Sequence, residues 1–310
     1  MAQSLPAGAL PVSPFRATRS ASRAEVGLHA TLAGLAHSRL VPLLEDLQWE
    51  DNLVAETAFR RLEHAFVETE RALVADRLRG VPRTADAFVA WFEELRVTGP
   101  GQHDPLFPWL AEEATLDQMR WFLKQEVAGE AGFEDLVALT QLRLPVRAKL
   151  ELAGNYWDEM GQGQAGGMHG PMLERLAVGL LLDTLDVPVV WEAVAVGNLL
   201  VALAYNRRFA YQSLGALGVV ELTAPGRAER VNEGLKRLGA AAEQRRYYAL
   251  HATLDKKHSA SWNAEVLWTL VDQRPETALP LAEGALLRLA AGARCFERYR
   301  EELGVIPPAH

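Results

Sequence analysis

An all-α fold is predicted by three features of the sequence. Apolar residues recur at helical intervals through most of the chain. No run alternates apolar and polar residues between turn-forming residues, as a half-buried strand would. Residues 240–274 contain neither proline nor glycine, the two strongest punctuators of a helix. The 310 residues, 49% of them hydrophobic, suffice for a large helical domain with a sizeable core, which excludes wholesale disorder. A net charge of −8 leaves no electrostatic footprint for nucleic acid. No apolar run reaches the ~18 residues of a membrane span. The longest candidate, residues 193–203, is interrupted by Gly197 and Asn198 and reads as a buried helix. The single cysteine, Cys295, excludes an internal disulfide framework and a cysteine-based zinc cluster. The expectation is a soluble, cytoplasmic protein that binds neither nucleic acid nor membrane.

Residues 1–24 lack Asp and Glu and are rich in Ala, Ser and Pro. Pro6, Pro11 and Pro14 prevent an amphipathic helix that would display Arg16, Arg19 and Arg23, so the segment reads as a disordered tail rather than a transit peptide. Residues 25–100 are expected to form N-terminal helices that pack on or extend a core domain of residues 101–310. Leu28, Leu32 and Leu35 mark the first, residues 53–78 the second, and residues 85–95 a third, which ends before the breaker run at 98–105. His29, His37 and His64 have no carboxylate partners in a recurring register and read as structural or surface residues.

Thr115 with Gln118 forms a capping-box pattern opening a helix over 116–128. Glu126 shares an apolar face of that helix with Met119 and Phe122, a costly place for a carboxylate unless it is paired or binds a cation. Glycines 161, 163, 166 and 167 end the next helix just past Glu159 and make a loop able to fold His169 back toward it. Two helices over 172–187 and 189–222 follow, the second ending at Pro225, with Glu221 flanked by apolar residues. A last helix covers 278–302. Trp157 and Trp262 read as packing residues. Tyr248 shares a face with His251 as a pocket or core aromatic. Arg207, Arg208, Lys256 and Lys257 read as mostly solvated, with the capacity to anchor a substrate carboxylate by charge.

The most informative stretch is 247–262, with His251, Asp255 and His258 at i, i+4 and i+7. At ~100° per residue they fall at about 0°, 40° and −20°, one narrow helical stripe. Such a stripe is either a solvated polar face or a ligand set for a divalent first-row metal. Together with Glu126, Glu159, His169 and Glu221 it makes four carboxylates and three imidazoles from several helices. That exceeds the four ligands of a structural zinc and suits two iron ions bridged by a carboxylate. The paired Glu-x-x-His motifs of ferritin-like bundles are missing, which points to a different scaffold.

The segments 122–126, Asn155-Tyr-Trp-Asp-Glu159-Met-Gly-x-Gly with His169, Glu221-Leu-Thr-Ala-Pro225 and His251-x3-Asp255-x2-His258 resemble the haem-oxygenase-like non-haem di-iron oxidases and oxygenases, the iron-containing redox enzymes. The resemblance spans roughly residues 105–270 and implies a haem-oxygenase-like bundle of about seven core helices without haem. It further implies two iron ions held by Glu126, Glu159, His169, Glu221, His251, Asp255 and His258, with O2 as cosubstrate. An external electron donor and a reductase partner are compatible with it. The three-histidine set is similar to the N-oxygenating branch, Glu126 standing for its extra glutamate. The expected activity is N-oxygenation of a small amine- or carboxylate-bearing metabolite. The alternatives are oxidative C–C cleavage of an amino acid or fatty acid and, outside enzymes, a metal-free helical scaffold. A haem oxygenase proper, drafting His29 or His37, leaves the ligand set unexplained, and a thiaminase-like role finds Cys295 poorly placed. The N-terminal helices are free to cap the pocket, pack on the core or mediate a homodimer.

Overall fold

In the computed structural model, which describes residues 23–42 and 49–306, every regular element is helical. The α-helices are α1 (Arg23–Leu40), α2 (Trp49–Val74), α3 (Ala85–Thr98), α4 (Leu106–Glu112), α5 (Leu116–Gly129), α6 (Phe133–Thr140) and α7 (Val146–Glu159). They continue as α8 (His169–Gly179), α9 (Trp191–Tyr205), α10 (Ala210–Arg237), α11 (Ala242–Ser261), α12 (Trp268–Gln273) and α13 (Ala278–Leu303). Among the described residues no helix is long and apolar enough to cross a membrane.

Helix α10 is the axis of the fold. Residues 212–219 are buried without a break, as a helix covered on all sides must be. Its neighbours are α11, α13, α4 and α9. The N-terminal helices pack on this core: α1 against α9, α2 against α13 and α3 against α12. Charge fixes α2 in place, because Arg71 pairs with Glu283 and Arg294 with Glu70, each at 2.8 Å. His29 is buried between Phe66 and Trp191, with Asn198 donating to its backbone carbonyl at 3.0 Å. His37 and His64 are exposed.

Several expected boundaries move, each for a local reason. Arg23 and Ala24 belong to α1, while residues 1–22 of the expected tail lie outside the described residues. The helix expected to reach 187 stops at Gly179, and Leu181 turns the chain with φ at 54°. The segment 189–222 is two helices. Asn206 breaks it in an extended conformation, and its side chain donates to Glu63 Oε2 at 2.6 Å. Helix α10 then runs straight through Pro225, which is buried. A proline inside a helix removes one bond to the carbonyl four residues earlier, here Glu221, and burial of the flanking turns outweighs that loss. The stretch after α11 continues as a π-helical turn, Trp262–Leu267, before α12. Such turns insert an extra residue and recur beside functional sites.

Candidate metal centre

The capping box of Thr115 and Gln118 forms as expected and starts α5, which carries Glu126 on its inner face and ends at Glu130. Glu159 closes α7 and His169 opens α8, and the glycine loop between them folds back on itself. Gly161 has φ at 61°, and a Cβ there would lie 2.3 Å from the Gly167 carbonyl carbon, so only glycine fits. The turn brings Glu159 Oε2 to 2.5 Å from His169 Nδ1. Neither atom has a hydrogen-bond partner, so two lone-pair atoms face one another. Trp157, expected to pack in the core, is instead 55% exposed, its ring edge resting over Gly163. Trp262 is fully buried.

Helix α11 presents its stripe to the same place. His251 and His169 rings meet edge to face at 4.6 Å. His251 Nδ1 lies 2.8 Å from the Tyr247 carbonyl, which makes it the donor and leaves Nε2 as the free lone pair. Two turns on, His258 Nε2 lies 3.0 Å from Asp158 Oδ2, so Asp158 accepts that hydrogen bond and Nδ1 points inward. Its neighbour there is Glu221 Oε2 at 3.6 Å, beyond hydrogen-bond reach. Glu221 in turn accepts from Asn155 Nδ2 at 2.7 Å. Asp255 sits between the two histidines on α11, buried, with Oδ1 unpartnered.

Ligand-type atoms gather in two groups, each within 4.8 Å: Glu159 with His169 and His251, and Glu159 with Glu221 and His258. Glu159 belongs to both. Buried polar atoms are nearly always hydrogen-bonded, yet Glu159 Oε2, both His169 nitrogens, Asp255 Oδ1 and His258 Nδ1 are not. Convergent unpartnered lone pairs of imidazole and carboxylate are the donor set of a divalent transition metal, so the residues fit iron.

The electrostatics agree. Burial, reinforced by Glu221, pushes Glu159 well above the carboxylate range, and burial with Glu221 and Glu159 raises Asp255 likewise. His169 and His251 are lowered to about 4 by burial and stay neutral, as ligands must. Burial would lower His258 too, but Glu221 and Asp158 raise it to about 9, so without a cation it carries a second proton that a metal would have to displace. A cation between these groups relieves the repulsion among carboxylates.

Glu126 lies elsewhere. It is outside both ligand groups, though it lines the cavity of about 190 Å³ that also reaches the ligands. That volume far exceeds the ~10–15 Å³ one water needs. Its neighbours there are Arg227, Arg288 and Tyr299. The carboxylates that do stand near the ligands are Glu130 and Glu134, both of which raise Glu159. Glu130 Oε1 accepts from the Ala131 and Gly132 amides at 3.2 and 3.1 Å. Glu134 Oε1 lies 3.0 Å from where a Cβ at Gly170 would sit, beside His169. Sequence reading missed both, although they follow Glu126 at intervals of four residues. Cys295, expected away from the pocket, also lines this cavity. Burial pushes its thiol up to about 12, which makes it a poor nucleophile. Tyr248 lines the cavity as well, whereas Lys256 and Lys257 are exposed and Arg207 is spent on the carbonyls of Leu139, Thr140 and Leu142.

A family model described as iron-containing redox enzyme matches residues 120–293, more than half of the chain. The fold is similar to the 2.00 Å crystal structure of a CADD-like protein of unknown function from Nostoc punctiforme PCC 73102. The two share 16% identity at a TM-score of 0.51, over 78% of this chain and 98% of that one. A 1.35 Å structure of that CADD-like protein gives 15% identity and a TM-score of 0.47, over 80% of this chain and 99% of that one. At such identity the likeness concerns the fold alone. No curated protein matches the chain.

Proposed function

The chain belongs to the iron-containing redox enzyme family, and from that premise we propose that it is an O2-using di-iron oxidase or oxygenase of a small metabolite. The observation that carries the proposal is the sharing of Glu159 by two groups of ligand atoms. One iron would be held by His169 and His251, the other by Glu221 and His258, with Glu159 within reach of both. Asp255, buried beside both, completes either coordination sphere. Glu126, Glu130 and Glu134 stand outside both groups and line the same cavity; of the three, Glu130 and Glu134 act on Glu159, whereas Glu126 faces Arg227 and Arg288.

When bound, the iron pair supplies electrons to O2 and the oxidising power for the substrate. The chain's own residues do the positioning. Tyr247 and Asp158 fix the tautomers of His251 and His258 and turn their free nitrogens inward. Asn155 orients Glu221. Phe107, Phe122, Leu173, Val196 and Leu200 line the cavity with apolar surface that limits water near the ligands.

N-oxygenation of an amine is the favoured reaction, with oxidative C–C cleavage of an acid as its rival. A cavity lined by tyrosines and carboxylates next to the ligands suits a polar nitrogen group better than a long acyl chain. Anaerobic Fe(II) titration of metal-free protein, followed by rapid mixing with O2, tests the reading. Uptake of two irons per chain and a transient visible absorption, whose decay is hastened by amines, supports it. No iron uptake, or one tightly held zinc, refutes it.

A further inference from the structure

The cavity that reaches the ligands also holds two cations, the wrong charge for a metal site. Arg227 on α10 and Arg288 on α13 both line it. Arg227 donates to Thr223 Oγ1 at 2.7 Å and stacks near Phe296, 5.3 Å from the ring centroid. Arg288 Nε is buried without any hydrogen-bond partner. Among the described residues neither guanidinium makes a direct ion pair; Glu126 acts on both through space, and Tyr299 bonds to Glu126. One carboxylate balances at most one of two fixed cations. A surplus positive charge held among Phe107 and Phe296 is expensive unless something supplies the counter-charge.

We infer that Arg227 and Arg288 anchor a carboxylate on the substrate, in the cavity that reaches the metal ligands. The chemistry selects the group. A guanidinium presents a planar fork of donors that matches a carboxylate, and a surplus of one positive charge matches a monoanion better than a phosphate dianion. The geometry selects the length. Arg227 lies six positions after Glu221 on one helix, which at 1.5 Å per residue separates their backbones by ~9 Å along α10. The anchored carboxylate therefore stays away from the metal, and the reacting atom lies several bonds along the chain. The substrate class is an acid whose far end carries the reactive amine or C–H group. The identity of that far end rests on the proposed oxidase reading; the anchor itself does not.

The test separates the two. Straight-chain carboxylic acids from butanoate to decanoate, and their primary amides, are titrated calorimetrically into the full-length protein, metal-free and iron-loaded under nitrogen. At least one acid should bind about tenfold or more tightly than its amide, the size of effect expected for a charge-assisted contact. Arg288→Gln and Arg227→Gln should bring acid and amide to parity, with iron stoichiometry unchanged. Arg288→Lys should retain part of the preference, and Lys149→Gln, on the exposed face of α7, all of it. Acid and amide binding equally well, no acid of the series binding, or a preference that survives both glutamine variants would overturn the anchor. The wild-type comparison requires no variant to fold. Loss of iron uptake with the acid preference intact would refute the metal centre and leave the anchor standing.

Discussion

Replacing Gly161 by alanine should unmake the metal centre without touching a ligand. A Cβ at this position falls 2.3 Å from the Gly167 carbonyl carbon, 2.6 Å from the Met168 nitrogen and 2.7 Å from Gly167 Cα. All three are backbone atoms, and ordinary contact between heavy atoms is ~3.5–4.0 Å, so the two arms of the loop must part by roughly 1 Å or more. The alanine must also hold a left-handed conformation, which costs about 1–2 kcal/mol by itself. The strand of loop that moves leads directly into His169, whose Nδ1 is 2.5 Å from Glu159 Oε2. Metal–ligand distances tolerate only about ±0.2 Å, so a shift of that size removes His169 from the shared site. Gly166→Ala is the matched control, because nothing lies within 4 Å of its Cβ position. Metal analysis after anaerobic reconstitution should give fewer irons per chain for Gly161→Ala and the wild-type number for Gly166→Ala. Full iron binding by the Gly161 variant, with unchanged thermal unfolding, would refute the role assigned to the loop.

Three further outcomes are expected. Asp158→Ala should weaken iron binding about 10- to 100-fold, since His258 loses the partner that orients it; competition with a chelator measures this, and an unchanged affinity argues against Asp158. Glu126→Gln should keep both irons while Glu130→Gln loses part of them, and the reverse result in metal analysis would return Glu126 to the ligand set. His29, lowered by burial to about 4 in the folded chain, takes up its proton first in the unfolded chain. Its contribution to stability is therefore full above pH 6.5 and is lost as pH falls toward the folded value. Between pH 7 and pH 5 that loss is about 1–2 kcal/mol after allowance for screening. Denaturant titrations should show a shallower acid slope for His29→Phe, and parallel slopes would contradict it.

The HxxxDxxH stripe was legible because helical periodicity alone puts His251, Asp255 and His258 on one face, and helix α11 does so. The approach of His169 to Glu159 was legible from four glycines, whose conformational freedom is a local property. Glu130 was not legible. It caps α5 just beyond the last helical residue, where the 3.6-residue period no longer applies, and its carboxylate is held by the Ala131 and Gly132 amides. For Glu126 the inward face was read correctly, but what waits on that face comes from residues 227, 288 and 299. No spacing in the sequence announces partners a hundred and more positions away. The break at Asn206 escaped for the same reason, its stabilising acceptor being Glu63 on α2. Pro225 misled because a local rule met a helix packed on every side.

The spread of ligands along the chain also sets an order in time. Glu159, His169, Glu221, His251 and His258 span a hundred residues, and α10, which holds Glu221, packs against α11 and against α13, the helix that ends at Leu303. A chain emerging from the ribosome N-terminus first presents Glu159 and His169 long before the rest. Two unpaired donors make a weak, exposed site. Only when α11 has been released can His251 and His258 join them, with α11 packing on α8 and α10. The full donor set therefore exists only on a chain whose synthesis has passed α11.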